Sequence, residues 1–130
     1  MQITIVGGGF GGVKAALELS KNKRARITLI TDKPDFQYYP ALYGTATGHS
    51  HLQAWIPLGE IFADHDNVDV IIDSVTKLDK ASKTVTTASG ATHTYNKLIL
   101  AIGSVTTYFG IPGLNDYAYG IKSHDEITRL

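Results

Sequence analysis

Six residues near the start of the chain, Gly7-Gly8-Gly9-Phe10-Gly11-Gly12, have the spacing G-x-G-x-x-G. Three of these glycines meet different demands. Gly7 allows a tight turn out of a strand, Gly9 has no Cβ to hold a pyrophosphate away from the backbone, and Gly12 lets a helix pack closely on a sheet. The start of that helix offers N–H groups and the positive end of its dipole to phosphate. Asp32 follows Gly12 by about 20 positions, where a carboxylate accepts hydrogen bonds from ribose hydroxyls and repels a 2′-phosphate. The bland alternative is a glycine turn that only packs helix on sheet. A strand before the turn, a helix after it and the acid beyond favour a nucleotide grip. The spacing suits FAD and NAD alike and disfavours NADP.

Other residues suggest chemistry less strongly. His49 and His51 could pair on a metal, but no third or fourth ligand stands at convincing spacing, so a polar loop is the better reading and no metal is expected. His65, between Asp64 and Asp66, reads as a solvated loop residue, and the two acids have no evident catalytic partner. The rings of Phe36, Tyr38, Tyr39 and Tyr43 invite a cofactor box, yet aromatics in such a loop more often pack it onto the domain. Trp55 is read as structural for the same reason.

The elements that must position the turn follow from pattern. QITIV, residues 2–6, is a β-branched run ending at glycines, hence a buried strand. Residues 10–21 form a helix with Val13, Ala16, Leu17 and Leu19 on its apolar face. RITLIT, residues 26–31, is a second strand, parallel to the first through a right-handed crossover. Residues 40–47 and 58–63 suggest short helices, and residues 68–72 a third buried strand. Residues 74–95 alternate with period two, with turns near Lys80–Ala81 and Ser89–Gly90, which predicts an antiparallel meander. KLILAI, residues 97–102, is a continuous apolar run that predicts a central parallel strand. "FGIPGL" is a turn. Ser123 to Glu126 has capping-box spacing, so a helix should begin there. It would end after about two turns, which reads as a cut within a longer protein. The whole is an α/β domain with an inserted antiparallel sheet.

Bulk properties set limits. A chain of 130 residues is one domain at most. Twelve basic residues balance twelve acidic ones, which gives no reason to expect nucleic acid as a partner. There is no cysteine, hence no disulfide framework, thiolate metal site or cysteine redox pair in this sequence. The apolar start is too short and glycine-rich for a secretion signal or a membrane span. A cytoplasmic protein is expected.

Taken together, "VGGGFGG", "ITLITDKPDFQYYPALYGTATG", "VDVIIDSVTKLD", "YNKLILAIGSVTTYFGIPG" and "SHDEITRL" resemble the FAD-binding N-terminal segment of the type II NADH dehydrogenases. These are NADH:quinone oxidoreductases within the two-dinucleotide flavoproteins of the pyridine nucleotide-disulfide oxidoreductase superfamily. One departure is Ile102, where the family usually has threonine. The related sulfide:quinone and disulfide reductases use cysteines, which favours the NADH branch. The resemblance implies a Rossmann-like, three-layer FAD/NAD(P)-binding fold, with helices on one face of a parallel sheet and the β-meander on the other. It implies FAD contacts from Gly7, Gly9, Phe10, Gly11 and Gly12, and from Asp32 and Lys33 at the adenosine ribose. Val75 would use its backbone on the adenine. Pro40 and Ala41 would pass near the flavin, as would the backbone of Ala101, Ile102 and Gly103. No catalytic acid, base or nucleophile is expected, because the cofactor carries the reaction.

The same resemblance makes residues 1–130 a truncated FAD domain, with an NADH domain and a C-terminal part elsewhere. NADH and quinone would be substrates of the full-length protein, which would lie peripherally on the inner face of the cell membrane through that C-terminal part. The fragment alone is expected to be inactive, to bind FAD weakly and to self-associate through exposed apolar surface. Two alternatives remain open: an NAD-dependent dehydrogenase, which the meander argues against, and a nucleotide-binding fragment without activity of its own.

Overall fold

The computed structural model describes residues 1–118 together with 120, 122 and 126. It divides into two units, one of Met1–Phe36 with Ile56–Gly103 and one of Gln37–Trp55 with the residues from Ser104 onward.

The first unit is built on four parallel strands. β1 (Gln2–Val6) leads through the glycine turn into α1 (Phe10–Ser20), and the chain returns as β2 (Arg26–Thr31) beside β1. β5 (Val68–Ile72) pairs with β2, and β9 (Lys97–Leu100) pairs with β1, giving the order β5-β2-β1-β9. Register aligns Ile3 with Ile27 and Ile5 with Leu29, so these side chains share one face. They pack with Val13 and Ala16 of α1 and with Leu58 and Phe62, at and just beyond α3 (Leu58–Ile61). Alternate residues Thr4, Thr28 and Ile30 point to the other face and are also buried. A meander of β6 (Val75–Asp79), β7 (Thr84–Thr87) and β8 (Thr92–Thr94) forms an antiparallel sheet, and β8 comes alongside β1.

Two strand expectations need correction. The apolar runs predict a buried strand over residues 68–72 and a central one over 97–102, but among the described strands both lie at the outer positions and no residue of 68–72 is fully buried. An outer strand has one flank without a neighbour, and Ile72 and Leu100 are accordingly 51% and 56% exposed. The second strand also stops at Leu100, although the Ala101 N–H still donates to the Val6 carbonyl at 2.8 Å.

In the second unit, α2 (Tyr39–Ala46) carries Pro40 in its first turn, where a missing N–H costs nothing. Leu42 and Ala54 make a small core with Ala41, Ala46 and Trp55. Thr47 Oγ1 donates to the carbonyls of Tyr43 and Gly44 at 3.1 and 3.0 Å, which closes the end of α2. A short α4 (Leu114–Tyr117) follows Gly113, whose φ of 78° fits the expected turn. β3 (Asp35–Gln37) and β4 (Trp55–Pro57), most of whose residues belong to the first unit, form a separate two-stranded sheet. The helix expected from Ser123 lies outside the described residues.

Candidate functional site: the carboxyl edge of the parallel sheet

Parallel strands end on a common edge, and in open α/β sheets ligands bind beyond the carboxyl ends of the strands. Here Gly7 follows the end of β1, Asp32 that of β2, Asp73 and Ser74 that of β5 on the way to Val75, and Ala101–Gly103 that of β9. Three hydrogen bonds of 2.8 Å tie these ends sideways: Gly7 N–H to the Ile30 carbonyl, Asp73 N–H to Thr31, and Ala101 N–H to Val6. The sheet thus brings eleven of the expected contact residues into one unit (Gly7, Gly9, Phe10, Gly11, Gly12, Asp32, Lys33, Val75, Ala101, Ile102 and Gly103), with their backbone segments aligned along one edge or starting from it. Pro40 and Ala41 sit at the start of α2 in the other unit, Pro40 exposed and Ala41 half-buried against Leu42 and Ala54.

The glycines of the turn separate by what constrains them. Gly7 has φ of 109°, and a Cβ there would overlap the Ala101 carbonyl oxygen. A Cβ on Gly12 would overlap the Gly7 carbonyl oxygen, so α1 sits directly on the turn. A Cβ on Gly8 would come within 2.6 Å of Thr31 Oγ1. A Cβ on Gly11 would make only an ordinary contact, 3.5 Å from Ala101 Cβ. Gly9 differs from the others. Its φ is −83°, which any residue adopts, and a Cβ on it would meet no protein atom within 4 Å.

Gly9 is also the N-cap of α1 and brings no capping side chain. The first helical bond runs from the Val13 N–H to the Gly9 carbonyl at 2.9 Å, so the amides of Gly11 and Gly12 lie ahead of it. The first turn holds no acidic residue that would compete with an anion. Phe10 packs edge-to-face on Phe36, with ring centroids 4.9 Å apart, and remains 47% exposed.

At the other end of the edge, Asp32 is exposed and its carboxylate carries no hydrogen bond or ion pair with a described residue. Lys33 N–H donates to Thr31 Oγ1 at 3.4 Å. Val75 opens β6, half-buried and paired with Thr87. Ile102 projects with 77% exposure, and Gly103 takes φ of 71°.

Sequence reasoning missed the supports of this edge. Asp73 accepts from the Ser74 and Ser89 N–H groups at 2.7 and 3.3 Å, pinning the β7–β8 turn to the end of β5. The Ser89 and then the Thr87 hydroxyl beside it hold its carboxyl down at about 2. His65 is half-buried rather than solvated: its Nδ1 lies 2.8 Å from Ser20 Oγ and its ring packs on Phe62. The Ser20 hydroxyl also lies 2.8 Å from the Leu17 carbonyl, so it links His65 to the last turn of α1. His49 Nδ1 lies 3.1 Å from the Gly44 carbonyl, at the end of α2. Among the aromatics, Phe36 and Trp55 pack as expected, but Tyr43 is 70% exposed.

The family model described as "Pyridine nucleotide-disulphide oxidoreductase" matches residues 1–130. The chain belongs to this family. It is 34% identical over 133 residues to the type II NADH:quinone oxidoreductase Ndh of Mycobacterium tuberculosis, covering 99% of this chain and 28% of that protein. The fold is similar to that of the sulfide:quinone oxidoreductase from Aquifex aeolicus, with a TM-score of 0.87 and 28% identity over 98% of this chain and 30% of the other. It also matches NDH2 from Plasmodium falciparum with a TM-score of 0.81, at 23% identity over 98% of this chain and 27% of the other. The chain spans about a third or less of the length of the curated relatives it matches. Family membership and the Rossmann-like architecture therefore agree with the expectation from the motifs. Among the described residues no helix is long and apolar enough to cross a membrane.

Proposed function

We propose that residues 1–130 form the N-terminal part of the FAD-binding domain of an NADH:quinone oxidoreductase, and that the carboxyl edge of the sheet holds FAD. The observation that carries this reading is Gly9. Neither backbone conformation nor packing within the protein requires glycine there. The space a Cβ would fill lies over a helix start that has no capping side chain and no nearby acid. That is the cradle a pyrophosphate needs.

The other contacts divide along the edge. Gly7 and Gly12 shape the turn, and the amides of Gly11 and Gly12 face the phosphates. Asp32 takes the adenosine ribose, with Lys33 beside it, and Val75 offers backbone groups to the adenine. Ala101, Ile102 and Gly103 border the isoalloxazine end, and the family resemblance gives Pro40 and Ala41 a flavin contact of their own. Bound FAD supplies an acceptor for the hydride of NADH and a donor of electrons to quinone. The protein supplies orientation and electrostatics.

Likeness to a protein named as a type II NADH:quinone oxidoreductase supports NADH and quinone as the substrates of the full-length protein. The meander supports the same reading, since an ordinary NAD dehydrogenase would have a helical crossover between β5 and β9. The test is spectroscopic. The full-length protein should purify yellow, or become so on adding FAD, and NADH should bleach the flavin band. A protein that neither carries flavin nor takes it up would overturn the proposal.

A further inference from the structure

Thr31 is the last residue of β2, only 5% exposed, and lies between the glycine turn and the ribose acid. Its side chain fills the space against Gly8. A Cβ on Gly8 would lie 2.6 Å from its Oγ1, 2.9 Å from its Cβ and 3.2 Å from its Cγ2. Gly8 is not among the residues with positive φ, so Thr31, rather than backbone conformation, demands glycine there. On its other side Thr31 continues directly into Asp32. Its Oγ1 accepts the Lys33 N–H at 3.4 Å, and its carbonyl accepts the Asp73 N–H at 2.8 Å.

We infer that Thr31 is a positioning residue that couples the two halves of the grip, setting the offset between the glycine turn and Asp32. This rests on the reading that the edge holds a dinucleotide. A β-branched side chain has few rotamers, and one wedged against backbone cannot turn without moving what it touches. With Thr31 in place, Gly8 is held at a fixed distance from the start of the Asp32 turn. Pyrophosphate and ribose are then met in one rigid frame. Alanine keeps the strand but removes Oγ1 and Cγ2, two of the three atoms against Gly8. The turn can then shift independently of Asp32.

The test uses two ligands, FAD, which spans both halves, and adenosine, which has no phosphate and engages only the ribose and adenine end. Affinities are measured by titration for the wild type, Thr31→Ala, Thr31→Val, Gly8→Ala and the double variant Gly8→Ala/Thr31→Ala, with circular dichroism confirming that each is folded. Thr31→Ala should weaken FAD about tenfold and adenosine less than about twofold. Thr31→Val keeps the β-branched shape against Gly8 and loses only the long 3.4 Å hydrogen bond from the Lys33 N–H, so it should stay within about threefold of wild type for FAD. Gly8→Ala should cost at least about threefold less in the Thr31→Ala background than alone, because the nearest of the three atoms it strikes, Oγ1 at 2.6 Å, is gone together with Cγ2, and only Cβ at 2.9 Å remains.

Equal losses of FAD and adenosine would mark a general structural effect and overturn the coupling. So would a Thr31→Ala protein within twofold of wild type for FAD, a Gly8→Ala penalty unchanged by background, or a Thr31→Val loss as large as that of Thr31→Ala. If the wild type binds NAD but no FAD, the function proposed above falls. The same ratios, measured with NAD against adenosine, then decide the coupling.

Discussion

At the scale of single residues, the glycine turn separates fold from function. Gly12→Ala drives a methyl group into the Gly7 carbonyl, a backbone atom with no room to retreat. It should destabilise the protein by about 1–3 kcal/mol or more, as overpacking does, and thermal melts would show it. Gly9→Ala places its methyl in open space, so stability should stay within about 0.5 kcal/mol of wild type. FAD affinity should nonetheless fall at least about tenfold, since the same methyl occupies the pyrophosphate cradle. A Gly9→Ala protein that binds FAD normally would remove the cradle from the site. The sequence distinguishes the roles of Gly7, Gly9 and Gly12 by spacing, but Gly8 occupies a position the motif leaves open. Its constraint comes from Thr31, more than twenty residues away in the chain, and no local pattern records it.

At the scale of elements, the end of α1 depends on a residue from another loop. Asn67 is buried, and its amide Nδ2 donates to the carbonyls of Ser20, Asn22 and Ala25 at 3.1, 3.3 and 3.1 Å. A helix end leaves such carbonyls short of backbone partners, and of the three that of Asn22 also accepts the Ala25 N–H at 2.9 Å. Asn67→Ala should cost about 1–3 kcal/mol, the range for stranding buried polar groups. Asn67→Asp should cost more, because it exchanges the donor for a negative charge at the negative end of the helix. Denaturant melts of the two variants give the order, and an Asp variant as stable as wild type would refute the cap.

β1, α1 and β2 are legible because a β-branched run, a glycine turn and a helical stripe follow one another without ambiguity. β3 and β4 are not, since three residues are too few to show a period. The exposure of one side of β9 is also illegible, because a continuous apolar run reports a favourable environment on both faces and says nothing of the neighbouring strand. His65 looks solvated between two aspartates, and only the fold brings Ser20 and Phe62 to it.

At the scale of the whole molecule, pH dependence comes from surface carboxylates held in their ionised form. Glu18 is lowered from 4.5 to about 2, first by its hydrogen bond to Lys14, then by that to Lys21, and Asp73 is lowered from 3.8 to about 2 by Ser89 and Thr87. A depressed folded value means that the stabilisation is complete above the unfolded value and fades as pH falls toward the folded one. Between about pH 4.5 and 2, therefore, melting temperature should drop with acid, and Asp73→Asn should flatten part of that slope while leaving the Glu18 part. Salt should weaken the Glu18 share, whose partners are exposed.

The larger question at this scale is turnover. The chain contains one G-x-G-x-x-G turn with its acid, which is one dinucleotide grip, whereas hydride transfer from NADH to FAD needs two. If the grip belongs to FAD, residues 1–130 saturated with FAD should reduce quinone with NADH no faster than free FAD does, although the flavin fluorescence changes on binding. The same assay on a protein as long as the curated relatives should show turnover that Asp32→Asn weakens through FAD affinity and that added FAD restores. NADH oxidation by residues 1–130 above the free-flavin rate would mean that this edge also receives NADH, and the assignment of the grip to a resident FAD would have to be abandoned.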